Sequence, residues 1–264
     1  MGNLATTYRS LGRWDAAEKL EVQVMEARKE KLGSHHPDTL SSMCNLAVTY
    51  GCLGRWDEAE KLEVLLLAAR KEKIGLHHPH TLNTMANLAS TYRNQGRWDE
   101  AEKLQVQVME MRKEKLGSHH PDILSSMAHL AVTYRHQERW DKAEKLQVQV
   151  MEAMTEKLGS HHPDTLSSMS NLAVTYRRQG KFDEEGKLEA QVMEARKEQL
   201  GSHHPDTLSS MANLAVTYWN LGELNKADAL LSHAVKLMEE TIGFEHPATS
   251  HFREMLSELK LLRE

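Results

Sequence analysis

The residues that could do chemistry come in sets that repeat. Ser34, His35, His36, Asp38, Ser41 and Ser42 supply every residue type of a nucleophilic triad within nine positions, and the set recurs in equivalent loops along the chain. Catalysis needs one nucleophile, one base and one orienting group held by unique neighbours. Copies on a regular array predict a structural part instead, and no enzyme activity is expected. Histidine pairs recur at His35-His36, His77-His78, His119-His120, His161-His162 and His203-His204, with His80 and His246 added. Adjacent rings diverge, and loops carried on packed helices lie about 10 Å apart. Zinc wants three or four ligands converging at about 2.1 Å. No metal and no other cofactor is therefore expected; glycine-rich phosphate loops are absent as well. The loops are predicted to start helices. Because histidine ordinarily titrates near pH 6.5, their clustering also predicts looser stacking at about pH 5.5.

The elements that hold these sets follow from one period. All six prolines, at 37, 79, 121, 163, 205 and 247, stand 42 residues apart, as do all six tyrosines at 8, 50, 92, 134, 176 and 218. Between 85–126 and 127–168, 33 of 42 positions are identical. A fixed period of this size marks a solenoid whose units bury their apolar faces only against their neighbours. Within a unit, Met43, Leu46, Ala47 and Tyr50 form an i, i+3, i+4, i+7 apolar stripe behind Pro37, which suits a first helical turn. Gly54 ends that helix. A second helix opens with Asp57, Glu58 and Glu60 and closes with Arg70, Lys71 and Lys73, a polarity that complements its dipole. Gly75 ends this one, and no segment shows the two-residue period of a strand. Trp14, Trp56, Trp98, Trp140 and Phe182 at the turn inside each unit are expected as core plugs.

Composition narrows the function. The 264 residues carry a net charge of -5, with 40% hydrophobic and 5% aromatic residues. A slightly acidic chain lacks the cationic footprint that nucleic acid requires. No apolar run reaches membrane-spanning length, so neither nucleic acid nor membrane is an expected partner. Two cysteines suit a reducing compartment, and a cytoplasmic location is expected. Cys44 and Cys52, eight apart on one helix, are too far apart to bridge.

The pattern Met43-x-x-Leu46-Ala47-x-x-Tyr50, Gly54, Ala59 and Pro79 resembles the tetratricopeptide repeat. The 42-residue period, Asn45-Leu46-Ala47 and His78-Pro79 are similar more narrowly to the kinesin-light-chain type of that repeat. The near identity of the copies resembles fungal arrays found in NACHT- and NB-ARC-type proteins. Two departures stand out: second-helix aromatics are absent, and Glu138 replaces a glycine. The resemblance implies an all-α, right-handed α-solenoid of helix-turn-helix units starting near 1, 43, 85, 127, 169 and 211. One repeat domain over 1–264 is expected, truncated in its first unit and closed by a capping helix at about 247–263.

In the resembling family the first helices line a concave face that holds peptides. The positions that carry over are Asn45, Asn87, Asn171 and Asn213, a possible ladder for an extended peptide's backbone. Arg93, Arg135, Arg177 and Arg178 are forks suited to carboxylates. Trp219 stands where other units have arginine or glycine, and would either anchor a partner or pack against the capping helix. The asparagines could instead bond between neighbouring first helices and set the pitch. The expected function is a non-catalytic scaffold binding a protein or peptide, acidic and extended. The alternative is a structural, sensor or self-association array of a larger NACHT/NB-ARC-type switch protein, its groove empty. The open first unit could also pair end to end with another chain.

Overall fold

The computed structural model describes residues 2–117 and 120–261, with no account of the side chains of residues 2 and 3. Met1 and His119, members of the repeated sets, and the last residues of the expected capping helix lie outside the described residues. Among those described there are thirteen helices and no strand. The chain is an all-α repeat solenoid, and its residues fall into two compact units, 1–137 and 138–264.

The first unit holds α1 (Gly2–Ser10), α2 (Trp14–Leu32), α3 (Pro37–Cys52), α4 (Trp56–Ile74), α5 (Pro79–Asn94), α6 (Trp98–Leu116) and α7 (Pro121–His136), each packed on the next. The second holds α8 (Trp140–Leu158), α9 (Pro163–Gln179), α10 (Phe182–Leu200), α11 (Pro205–Asn220), α12 (Leu224–Thr241) and α13 (Pro247–Leu261), packed likewise in sequence order. Odd-numbered helices up to α11 are the first helices of the repeats.

The same residue types start each first helix from α3 to α11. Proline occupies the first turn of α3, and His36 before it accepts the Asp38 N–H on Nδ1 at 3.2 Å. His78, His120, His162 and His204 do the same for α5, α7, α9 and α11. The second histidine of each pair is thus a helix cap, satisfying a donor that the helix cannot. Turns inside the repeats need a positive φ, which glycine adopts freely: Gly54 has φ 72° and Gly96 φ 77°. Glu138, at the start of the second unit, takes the same conformation at φ 57° without glycine's freedom.

Close approach of helices rests on alanine and leucine. Ala17, Ala59, Ala101, Ala143 and Ala227 of the second helices are buried, and so are Leu46-Ala47 and their counterparts in α5, α7, α9 and α11; in α1 Ala5 is buried but Leu4 is 47% exposed. The tryptophans depart from expectation. Trp14 is 39% exposed, and Trp56, Trp98, Trp140 and Phe182 are only half-buried. Each opens a second helix at the surface turn, where the residue three on, alanine after each tryptophan and Glu185 after Phe182, already fills the interior. Trp98 stacks flat on His136 with ring centroids 4.2 Å apart. Beside these turns the basic residue covers the tyrosine: Arg55 over Tyr50 at 4.6 Å and Arg97 over Tyr92 at 4.1 Å.

Polar clasps join successive repeats. Arg55 reaches Glu18 at 2.7 Å, Arg97 reaches Glu60 at 2.8 Å, and Lys181 reaches Glu144 at 2.7 Å. At the far end, α13 is held by Phe252, Met255 and Leu256 in apolar clusters that include Leu208, Met211 and Leu231.

Candidate functional site: the face of the first helices

A buried polar pair recurs at the junctions between repeats. Thr49 Oγ1 donates to Glu21 at 2.6 Å, Thr91 to Glu63 at 2.7 Å, and Thr133 to Gln105 at 2.7 Å. In the second unit Thr175 donates to Gln147 at 2.6 Å. Each acceptor lies in the middle of a second helix, 28 residues before its threonine. The signal was present in the sequence as one polar residue per repeat within an apolar helix face, but nothing local marked it as buried. A second recurrent device is an arginine near the end of the second helix. Arg28, Arg70, Arg112 and Arg196 each span to a backbone carbonyl and a Ser or Thr hydroxyl of the following helix.

The acceptor's charge decides what the face arginines meet. In the first repeat Arg9 has Glu21 at 3.7 Å. In the third, the corresponding acceptor is neutral Gln105. Arg93 is half-buried there, and its guanidinium's only described hydrogen bond is a long one to Ser90 Oγ at 3.5 Å. Burial lowers its pKa, and no carboxylate offsets that cost. Asn87, Arg93, Arg112 and His129 line one pocket of about 150 Å³, floored by Gln105 and Val108. Burial lowers the His129 pKa, with Arg93 and Arg112 adding repulsion, so its neutral form is favoured. His129 takes the place that asparagine holds in the other repeats. Arg135, half-buried, is near enough to His136 to help lower that ring's pKa, after burial.

In the second unit the expected arginine site is already filled. Arg177 Nε donates to Glu185 Oε1 at 2.5 Å, and Glu185 is 0% exposed. Thr217 also donates to Glu185, at 2.9 Å, whereas Thr49 and Thr91 use the residue four positions further along the second helix. Position 185 is alanine in the other repeats. Glu189 is 1% exposed, and neither of its carboxylate oxygens has a partner among the described residues. Burial pushes its pKa up to about 7 against the pull of Arg177; Glu185 raises it further and Arg196 opposes. Arg178 is exposed.

The asparagines divide by exposure: Asn45 and Asn171 are exposed, Asn87 and Asn213 half-buried. Their backbone carbonyls are used; Arg9 reaches Asn45 O at 3.4 Å and Gln147 reaches Asn171 O at 3.1 Å. Among the described residues their side-chain amides bond to no neighbouring helix, which removes the pitch-setting role weighed from sequence. Trp219, half-buried near the end of α11, belongs to neither of the two clusters that hold α13.

The triad-like set is spent on helix geometry. Ser41 Oγ donates to Pro37 O at 2.9 Å, and Ser42 Oγ donates to Asp38 O at 3.0 Å while accepting from Arg28. Among the described residues no three His, Cys, Asp or Glu side chains converge to hold a metal. No described helix is long and apolar enough to cross a membrane.

Tetratricopeptide-repeat sequence models match residues 1–72, 65–114, 80–156 and 122–198, and a second such model matches 207–248. No curated protein matches the sequence. Among solved structures, a protein of nearly identical TPR-like repeats from Podospora anserina, described as a kinesin light chain, is 32% identical. It covers 78% of this chain and 97% of its own, with a TM-score of 0.72. The STAND protein PH0952 of Pyrococcus horikoshii, which has a tetratricopeptide repeat sensor, shares the fold at 13% identity and a TM-score of 0.77. It covers 99% of this chain, which spans 38% of it. The quorum sensor NprR of B. thuringiensis matches at 18% identity and a TM-score of 0.67, over 98% of this chain and 68% of NprR. NprR has also been solved with its cognate peptide NprX, at a TM-score of 0.54. With these models matching most of its length and the 42-residue period visible in every helix pair, the chain belongs to the tetratricopeptide repeat family.

Proposed function

We propose that this chain is a non-catalytic scaffold that binds an acidic, extended peptide on the face of its first helices. The observation that carries the reading is Arg93, a half-buried guanidinium with no carboxylate partner among the described residues, in a pocket shared with Asn87, Arg112 and His129. A desolvated arginine without a counterion favours an incoming carboxylate, since a bidentate pair would offset its burial. Asn45 and Asn87 then serve the peptide backbone of the same ligand, and Arg135 a further carboxylate. The face of the second unit, taken by itself, offers Asn171, Asn213, Arg178 and Trp219 to a peptide of the same kind, while Arg177 is available there only by exchanging Glu185 for the ligand. Peptide capture by NprR, a protein of the same fold, is consistent with this use.

The test is fluorescence anisotropy with a labelled acidic peptide at low ionic strength, where the charge pairing is least screened. Charge reversal at Arg93 and Arg135 together, neither of which has Arg177's buried Glu185 to lose, should abolish capture with helicity retained, and Arg93→Glu alone should account for most of the loss. Capture that survives the double change would remove the reading.

A second reading has its own support. The STAND protein PH0952 carries its repeats as a sensor, so a sensor or self-association array within a larger switch protein is a distinct use of the same fold. In that case the first-helix face binds no peptide, and sedimentation shows concentration-dependent association through the first repeat. A cytoplasmic setting fits both readings.

A further inference from the structure

A different edge of the first unit carries a second candidate binding site. The loops 33–36 and 75–78 and the ends of α2 and α4 enclose a groove of about 840 Å³, within the range of ligand-binding clefts. Leu32, Leu40 and Ile74 give it an apolar floor, and Arg70, Lys73 and His80 stand in its walls with His35, His36 and His78. No aspartate or glutamate lines it.

Two departures from the repeat, together with a recurrent arginine, build this charge pattern. The position of His80 is aspartate in the counterparts Asp38, Asp122, Asp164 and Asp206, each 3.8–3.9 Å from the Nδ1 of its capping histidine. Here a second imidazole replaces that carboxylate, with the rings of His78 and His80 5.2 Å apart. Lys73 is the second departure. Its counterparts Lys115 and Gln199 reach back to the preceding loop, bonding His77 O at 3.0 Å and His161 O at 2.8 Å, and so bridge the corresponding gap. Lys73 makes no such bond among the described residues, and the gap beside it stays open. The recurrent arginine of the second helix, here Arg70, is 8% exposed and spends one nitrogen on His80 O and Thr84 Oγ1, both uncharged, so its charge adds to the groove without a described ion pair.

We propose that this loop-edge groove binds a short acidic peptide segment in which an apolar side chain sits beside a carboxylate. The carboxylate pairs with Lys73 and the His78–His80 wall under the field of Arg70, and the apolar side chain rests on Leu32, Leu40 and Ile74. A peptide fits better than an acyl chain, because cationic and imidazole groups are interleaved with a floor of only three aliphatic side chains. The site is separate from the Arg93 pocket and stands or falls without it.

The probe is a fluorescein-labelled hexapeptide of alternating leucine and glutamate, with an alternating leucine–glutamine peptide as control. Anisotropy should show the acidic probe binding at least tenfold tighter than the control, with the gap shrinking as salt is raised. Lys73→Glu, and separately His80→Asp, which restores the residue of the other repeats, should each weaken the acidic probe at least tenfold. Circular dichroism should be unchanged in both, and Arg93→Glu should leave Lys73-dependent binding intact. Equal binding of the two peptides would overturn the proposal. So would affinity indifferent to both groove variants, or a groove that protects Lys73 from acylation only in the presence of a fatty acid or a second copy of the chain.

Discussion

Thr91 Oγ1 donates a 2.7 Å hydrogen bond to Glu63 Oε2 from one repeat to the next, with both side chains buried. Burial lifts the Glu63 carboxyl to about 7, the Thr91 bond opposing and Glu60 adding repulsion, and Glu189 is lifted to the same value. In the third and fourth repeats the position is glutamine, the neutral counterpart of a protonated glutamate. At these four positions, Glu63, Gln105, Gln147 and Glu189, the group is either an amide or a carboxyl whose protonated form burial favours.

Stability should therefore rise on mild acidification. A carboxyl held near 7 in the fold and near the ordinary glutamate value of 4.5 when unfolded binds its proton preferentially in the folded state. The stabilisation is complete below about 4.5 and is lost as pH rises through about 7. Between pH 8 and pH 5.5 each group contributes on the order of 1–2 kcal/mol. His129 and His136 pull the other way, because their lowered pKa values make protonation cost stability as pH falls. The loosening at pH 5.5 expected from the histidine loops is opposed by these two glutamates. Urea titrations of the parent and of Glu63→Gln with Glu189→Gln isolate the effect: the double variant should gain most at pH 8 and little at pH 5.5. An equal gain at both values would refute the assignment.

Glu138 offers a backbone test. Its φ of 57° lies where a side chain is strained and glycine is not. Glu138→Gly should stabilise the protein by about 0.5–1 kcal/mol, and Gly96→Ala, at φ 77°, should cost a comparable amount. Thermal melts of the two variants should move in opposite directions.

Most of the fold was legible because its markers are periodic. Pro37, Gly54, Ala59 and Gly75 each state a local backbone or packing requirement, and repetition removed the ambiguity that a single copy would have left. The face was less legible. Arg93 and Arg177 look equivalent in sequence, and their difference comes from Gln105 in one case and Glu185 in the other, on the following helix. Trp56 and Trp98 misled, since residue type suggested a core position while the turn geometry keeps them near the surface.

The Arg177 pair should be costly to break. Glu185 is fully buried and Glu189 nearly so, and removing the guanidinium leaves both without a positive partner on α9. Losing one partner of a buried ion pair costs about 3–5 kcal/mol. Arg177→Ala should approach that loss, while Arg93→Ala should stay within about 1 kcal/mol, its guanidinium having no ion pair to lose. Denaturant midpoints give the comparison, and equal losses would contradict the distinction between the two arginines.

The histidine caps can be separated from their neighbours. His162 Nδ1 accepts the Asp164 N–H at 3.2 Å at the start of α9, whereas His161 lies outside the helix with its ring exposed near Glu198. Replacing a capping side chain by alanine costs about 0.5–2 kcal/mol. His162→Ala should therefore destabilise by that amount, and His161→Ala should be close to neutral. His162→Asn should recover most of the loss, because an asparagine oxygen can accept the same N–H. Failure of asparagine to rescue would mean that the imidazole acts through packing against the loop, and that the paired histidines do not owe their recurrence to helix capping.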